Sequence, residues 1–327
     1  MKTIALAFRY LWSRPLAAML NLLLLTLGLA SITFVLLVSE QVDRSFQRDL
    51  AGIDLVVGAK GSPMQLILAG VFHIDVPPGN IPLKEVQALR QQPQVATLIP
   101  LSLGDSFRGY RIVGTTADYI AHYRMQFAQG EAWTRPMQAV LGAQVAQAVG
   151  MKRGDSFTGN HGLGGGGHDH GDNPYRVAGV LAPCGCVVDR LVLTSIDSVW
   201  QVHEKALAVD DEDRKALEAE REVTMALITY RSPLAAVSLP RHVNNSTGMQ
   251  AAAPAVEVTR LLRLLGVGSE VLRGVGAVLL LTAALSVFIA FWNAVRERRA
   301  DLAMLRMLGA TPAKVAALLL CEALWLA

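Results

Sequence analysis

Arg296-Glu297-Arg298-Arg299, followed by Asp301-Leu302, Leu305-Arg306 and Leu308-Gly309-Ala310-Thr311-Pro312, is the stretch on which the reading of this 327-residue chain turns. It directly follows Gly274 to Val295, 22 residues without a charge, so it marks a point where the chain has just left a bilayer. Leu302, Leu305 and Leu308 recur at helical spacing with Arg306 between them, which predicts a short helix with one apolar face. Gly309 can take the left-handed conformation that stops a helix. Thr311 can cap the next one, and Pro312 suits its first position, where the missing N–H had no partner anyway. The expectation is an amphipathic helix at a membrane surface, a sharp turn, and a new helix heading back in. An ordinary charged loop would not need stop, cap and apolar face together.

The rest of the chain supports a membrane setting. Apolar residues make up 52% and charged residues only 17%, with the apolar excess gathered in blocks. Leu16 to Val38 is 23 residues without a charge. At the helical rise it spans roughly 34 Å, enough for a hydrocarbon core of about 30 Å. A cleaved signal peptide would have a shorter apolar region and a small-x-small site, whereas this run ends Leu37-Val38-Ser39-Glu40, so a retained helix is expected. Lys2, Arg9 and Arg14 precede the first run, and Arg296, Arg298, Arg299 and Arg306 follow the second. The positive-inside rule therefore places both ends in the cytoplasm. Residues between the runs lie outside, since long domains cross largely regardless of charge.

The predicted architecture is membrane α-helical, two full spans plus the start of a third, with a large mixed α/β extracytoplasmic domain. Its divisions are 1–38 (cytoplasmic N-terminus and first span), 39–273 (extracytoplasmic domain with stalk helices at both ends), 274–295 (second span), 296–311 (cytoplasmic amphipathic helix) and 312–327 (start of a third span). The last segment is too short to cross a bilayer, so the chain reads as truncated. Glu322 lies about 15 Å along that helix, where a carboxylate should face protein or water rather than lipid.

Within 39–273, Glu40 to Leu50 and Pro254 to Arg273 read as the two stalks. Strands are expected at Ile53 to Val57, Val95 to Leu101, Tyr110 to Gly114, Tyr175 to Leu181, Leu191 to Thr194 and Val223 to Tyr230. Helices are expected from Ser62-Pro63 to Val71, from Leu83 to Gln91, after Val140, from Ser195 through His203, and over Asp211 to Glu222. Asp75 to Pro82 is a loop. Strands mixed with short helices suggest an α/β domain of two lobes.

The pattern Arg-x-Arg-Arg-x-Asp-Leu-x-x-Leu-Arg-x-Leu-Gly-Ala-Thr-x-x-x-Val from Arg296, followed by Glu322, resembles the hallmark of the FtsX/MacB-type permeases of ABC transporters. That family usually carries an acidic residue where Asp301 stands. More loosely, Ala139-Val140-Leu141-Gly142, Val145-Ala146, Lys152-x-Gly154-Asp155 and Tyr175 to Leu181 are similar to the periplasmic core domain of MacB-like permeases. Asp54 to Leu66 resembles one subgroup of them. The resemblance implies that the stretch joins the second and third membrane helices and faces a separate ATPase subunit. Arg296, Arg298, Arg299, Asp301, Leu302, Leu305, Arg306, Leu308 and Gly309 would then form the coupling surface. It further implies a bacterial inner membrane protein, multi-pass, with its large domain in the periplasm. Its partners would be the ABC ATPase subunit, membrane lipid, and a second permease, identical or paired.

The function so implied is a permease that couples cytoplasmic ATP hydrolysis to movement of the outer domain, for efflux, lipoprotein release or mechanotransmission. The alternative is a non-transporting, membrane-anchored regulator or scaffold of envelope partners. No Walker motif occurs, so ATPase activity belongs to another subunit. A net charge of +3 with no basic, aromatic-interleaved stripe gives no reason to expect nucleic acid.

One stretch invites metal. His161-Gly-Leu-Gly-Gly-Gly-Gly-His168-Asp169-His170-Gly-Asp172 sets three imidazoles and two carboxylates on a glycine-rich loop. Such a loop can fold around a borderline ion, and His161, His168, Asp169 and His170 are the candidate ligands for weak, exchangeable zinc, which adds metal-linked export to the substrate guesses. Otherwise it is a solvated insertion of biased composition, and no other cofactor is expected. A membrane-anchored metalloenzyme is the remotest reading. His73, His122, His203 and His242 are scattered and read as packed or surface histidines. Cys184-Gly185-Cys186 could pair on an oxidising side, ligate a soft metal, or be small residues at a turn. Gly-Asp-Ser-Phe occurs at Gly104 and again at Gly154, each read as a turn before a strand.

Overall fold

The computed structural model describes residues 15–162, 173–204, 211–297, 303, 304 and 306–315. In order, its first elements are α1 (Pro15–Asp49), β1 (Leu55–Ala59), α2 (Pro63–Gly70), β2 (Ile81–Pro82), α3 (Leu83–Arg90), β3 (Val95–Phe107), β4 (Tyr110–Thr115) and α4 (Ala117–His122). Next come β5 (Phe127–Gly130), β6 (Gln138–Leu141), α5 (Ala143–Val149), β7 (Ser156–Phe157), β8 (Asn160–His161) and β9 (Tyr175–Leu181). A 3-10 turn (Val187–Arg190), β10 (Leu191–Ser195), α6 (Ile196–Glu204), α7 (Asp211–Ala219), β11 (Glu222–Val223) and β12 (Met225–Tyr230) follow. The last are α8 (Ala235–Ser246), β13 (Met249–Ala252) and α9 (Pro254–Glu297). Two compact units result, Met1–Asp43 with Leu262–Ala327, and Arg44–Leu261.

The Arg44–Leu261 unit is built around β3. Its first half pairs antiparallel with β12, from Val95 opposite Tyr230 to Leu101 opposite Met225. Its second half pairs antiparallel with β4, from Ser102 opposite Gly114 to Phe107 opposite Tyr110. One strand thus belongs to two half-sheets, ordered β13-β1-β12-β3 and β3-β4-β10-β6-β9-β5. Ile99, Leu101 and Leu103 are all buried, and so are Pro100 and Ser102 between them, because the strand is covered on both faces. Each half has its own core. In the first, Leu55, Val57, Ala226 and Ile228 of the sheet meet Val86 and Leu89 of α3 and Leu239 and Val243 of α8. In the second, Phe107, Ile112, Leu141, Val177 and Val192 meet Val145 of α5 and Val202 of α6. Where the sequence suggested two lobes, Arg44–Leu261 is one compact unit whose continuous sheet has two halves.

Several boundaries differ from the expectation. β3 does not stop at Leu101 but runs on to Phe107, carrying the first Gly-Asp-Ser-Phe inside a strand rather than at a turn. The ladder is irregular between Leu103 and Ser106, and that irregularity admits the glycine. The second copy does follow the expectation: Gly154 precedes β7, and Phe157 packs on Phe107 at 4.5 Å between ring centroids. The acidic helix ends at Ala219, since Glu222-Val223 is captured as β11 by Ile81-Pro82. α8 holds Pro240 in its interior, which hides it from a propensity reading.

In the other unit, α1 and α9 run antiparallel and close together. A Cβ on Gly28 would sit 3.1 Å from Leu280, and one on Gly276 would sit 2.6 Å from Ile32. Gly28 and Val35 on α1, with Gly276 and Ala283 on α9, are buried at seven-residue spacing. Gly28 and Gly276 let the two backbones approach along this seam. Away from it Leu23, Leu27, Phe34, Leu37, Val278, Leu281, Phe288 and Trp292 are exposed. Among the described residues, Thr26–Asp49 is long and apolar enough to cross a membrane, and Arg273–Leu285 is a shorter apolar stretch.

Candidate functional site

Two places carry chemistry. The first lies on the second half-sheet, where β8 is laid against β3 with His161 directly opposite Asp105. Directly opposed residues of a ladder share a face. The Gly162 N–H donates to the Gly104 carbonyl at 2.8 Å, and the Ser106 hydroxyl donates to the Gly162 carbonyl at 2.5 Å, so the start of the histidine loop is fixed to β3. α6 crosses the same face. A network of hydroxyls pins its first turn: Ser195 Oγ accepts from the Ser198 N–H at 3.2 Å, and Ser198 Oγ accepts from the Met137 N–H at 2.9 Å. Gly114 lets α6 come close, because a Cβ there would stand 2.5 Å from Val199 Cγ2. Farther along, the Trp200 indole donates to the Glu222 carbonyl at 2.9 Å. His203, in the last turn, thereby reaches Asp105.

The resulting cluster is compact. His161 Nδ1 lies 2.9 Å from Asp105 Oδ1, and His203 Nε2 lies 3.7 Å from Asp105 Oδ2. The two imidazoles are 5.1 Å apart between centroids. Asp105 is buried, its side chain 3% exposed, while those of His161 and His203 are 44% and 40% exposed. Donor atoms of all three lie within 4.8 Å of one another. Tyr175 on β9 is stacked on Phe157 at 5.4 Å. Burial, then the nearby Asp105 charge, hold its phenol well above the usual range. Such a set can share protons between carboxylate and imidazole, or hold a cation between them.

Of the metal candidates read from the sequence, His161 is in this cluster, whereas His168, Asp169 and His170 lie outside the described residues. Asp105 was missed. The repeated Gly-Asp-Ser-Phe was its only signal, and nothing in the sequence tells which copy turns its aspartate inward. His203 is half-exposed and joins the cluster instead of standing alone. His73 is the packed histidine expected: buried, 3.1 Å from the Tyr119 hydroxyl, its pKa lowered to about 3 by burial first and then by Arg111 and Arg190. Cys184 and Cys186 form a disulfide. Asp189 accepts from the N–H groups of Cys184 and Gly185 at 3.0 and 2.7 Å. Next to it, Val187 N–H donates to Asp49 Oδ1 at 3.0 Å, and the Tyr123 hydroxyl donates to the Asp49 carbonyl at 2.9 Å, so the last residue of α1 is held by two segments of the α/β unit.

The second place is the turn after α9. Residues 303, 304, 306 and 307 are helical, Gly309 has φ of +93°, and residues 312–315 are helical again. The Lys314 N–H donates to the Thr311 carbonyl at 3.0 Å, with Thr311 Oγ1 at 3.4 Å from the same nitrogen. Arg296, Arg306 and Lys314 are exposed, as are Met304, Met307 and Leu308, the last to 80%. Arg298, Arg299, Asp301, Leu302, Leu305 and Glu322 lie outside the described residues.

The whole length of the chain can be compared with known families. The MacB-like periplasmic core domain matches residues 18–235, two thirds of the chain, and the FtsX-like permease C-terminal region matches residues 273–327. The chain belongs to the MacB/FtsX-type permeases. MacB/FtsX-type permeases are components of ABC transporters in the inner membrane, carry a periplasmic domain, and usually work with an ATPase. The fold is similar to the periplasmic region of MacB from Actinobacillus actinomycetemcomitans, with TM-score 0.41 and 11% identity over 65% of this chain and 95% of that one. It is also similar to the extracellular domain of the noncanonic ABC-type transporter YknZ from Gram-positive bacteria, with TM-score 0.35 and 12% identity over 61% of this chain and 98% of that one. No protein of curated function matches the chain.

Proposed function

We propose that this MacB/FtsX-type permease docks a separate ATPase on residues 296–311 and passes the resulting motion outward through two helices to the periplasmic domain. The supporting observation is the turn itself: an exposed apolar and basic surface, stopped at Gly309 and restarted at Thr311. Met304, Met307 and Leu308 offer apolar area to a partner, and Arg306 and Lys314 offer charge. α1 and α9 are the spans of this reading, each beginning or ending inside Arg44–Leu261. Their outward apolar side chains suit lipid, and their glycine seam suits a pair that slides or tilts as one. At the far end the Asp49 contacts would carry a pull on α1 into the disulfide turn. The work done could be efflux, release of a lipoprotein, or switching an envelope partner.

The test is ATP hydrolysis by a separately expressed ABC ATPase subunit, reconstituted with this chain in proteoliposomes. Wild-type chain should raise the ATPase rate, and the double variant Arg306→Glu, Leu308→Asp should return it to the level of the ATPase alone. An ATPase rate indifferent to both would favour the regulator or scaffold reading.

A further inference from the structure

The cluster on the second half-sheet is separate from the coupling turn and has no part in the reading above. It poses a physical problem. Asp105 is a carboxyl group taken out of water, and burying one is costly unless polar or charged partners stand beside it. Its neighbours are two imidazoles whose outer edges remain open to solvent. Neutral imidazole is a metal ligand as well as a hydrogen-bond partner. The three groups come from elements that the fold holds independently, β3, β8 and α6, so their meeting is not a by-product of one turn.

A second observation concerns a group that feels the Asp105 charge. The Tyr175 hydroxyl is buried, and among the described residues it has no hydrogen-bond partner. It lies within reach of the Asp105 charge. Buried phenols normally find a partner, and water held on a cation beside Asp105 would be one.

We infer that Asp105, His161 and His203 are three protein ligands of an exchangeable divalent transition-metal site, for which zinc is the fitting ion. The donor set decides the class of metal. Two nitrogens and one carboxylate oxygen are the ligands of open three-ligand zinc sites, in which a fourth position is left to water or another donor. Calcium and magnesium ask for six or more oxygens and are ill served by imidazole, and copper(I) prefers sulfur. With bonds of about 2.0 Å the donors of a tetrahedral site stand roughly 3.3 Å apart, so a set now within 4.8 Å needs to close by about 1.5 Å at most. Both imidazoles are half-exposed, and the fourth position would be taken by water or another donor. An open site of this kind loads and releases its ion. Bound metal would clamp the end of α6 to β3 and β8, making the rigidity of this edge depend on metal in the periplasm.

The experiment titrates Zn2+ into the full chain, purified in detergent micelles, against a chromophoric chelator. Co2+ serves as a spectroscopic stand-in that reports ligand number. The expected result is one Zn2+ per chain, undisturbed by millimolar Ca2+ or Mg2+. Asp105→Asn or His203→Ala should weaken it at least about 100-fold, more than loss of an outer-shell partner usually does. His203 is on the surface, so His203→Ala stays informative if the buried Asp105→Asn does not fold, and circular dichroism checks both. The inference is overturned if His203→Ala binds like the wild type. It is overturned equally if His168→Ala with His170→Ala abolishes binding that His203→Ala leaves intact, for then the loop chelates by itself.

Discussion

His73 shows how much a single buried side chain can set. Its backbone sits at φ of +55°, its ring faces the Tyr119 hydroxyl, and burial with Arg111 and Arg190 nearby keeps it neutral down to about pH 3. Because its folded pKa is below the ordinary 6.5, the unfolded chain binds the extra proton between these values. Stability from this group is therefore complete above pH 6.5 and lost as pH falls toward 3, by up to about 1.4 kcal/mol per pH unit. Asn tolerates positive φ and does not titrate. The thermal midpoint of the wild type should fall more steeply between pH 6.5 and 4 than that of His73→Asn. Parallel curves would show that His73 is not buried neutral. Residue-level reading from sequence did well where context was local. Ser195, Gly309 and Thr311 fill the capping and stopping roles that their positions announce. It failed for Asp105, whose partners lie 56 and 98 residues away along the chain.

At the scale of elements, α6 is the piece whose position matters most to the cluster. It rests on β4 through Gly114, where no side chain intervenes. Gly114→Ala would put a methyl 2.5 Å from Val199 Cγ2 in a closed core and push α6 outward. Overpacking of this kind costs about 1–3 kcal/mol. Scanning calorimetry of the full chain in detergent should show a lower midpoint for Gly114→Ala, and an unchanged midpoint would mean that α6 is not seated as described. Most elements with a strong period could be read in advance: β9, β10, α3 and the start of α6 fall within a residue or two of expectation. β3 could not be bounded, since a strand buried on both faces loses the alternation that marks its end. β7, β8 and β11 are two residues each and exist only because a neighbouring strand captures them.

For the molecule as a whole, a large mixed α/β domain beside apolar helical stretches was legible, because long uncharged runs are written in composition. The two uncharged runs flank the α/β unit, and the terminal stretch carries the family hallmark. The order of strands was not legible. Placing β12 between β1 and β3, and β10 between β4 and β6, depends on pairings more than a hundred or fifty residues apart, which no local pattern encodes. The central claim is mechanical: the turn after α9 is where an ATPase pushes. Its most direct measurement puts a photo-crosslinking amino acid at Leu308, exposed to 80%, in cells that express the chain with an ABC ATPase subunit. The account predicts a crosslinked product containing the nucleotide-binding subunit, whose yield changes when ATP hydrolysis is blocked. Crosslinks only to lipid, or to proteins of the periplasm, would contradict it.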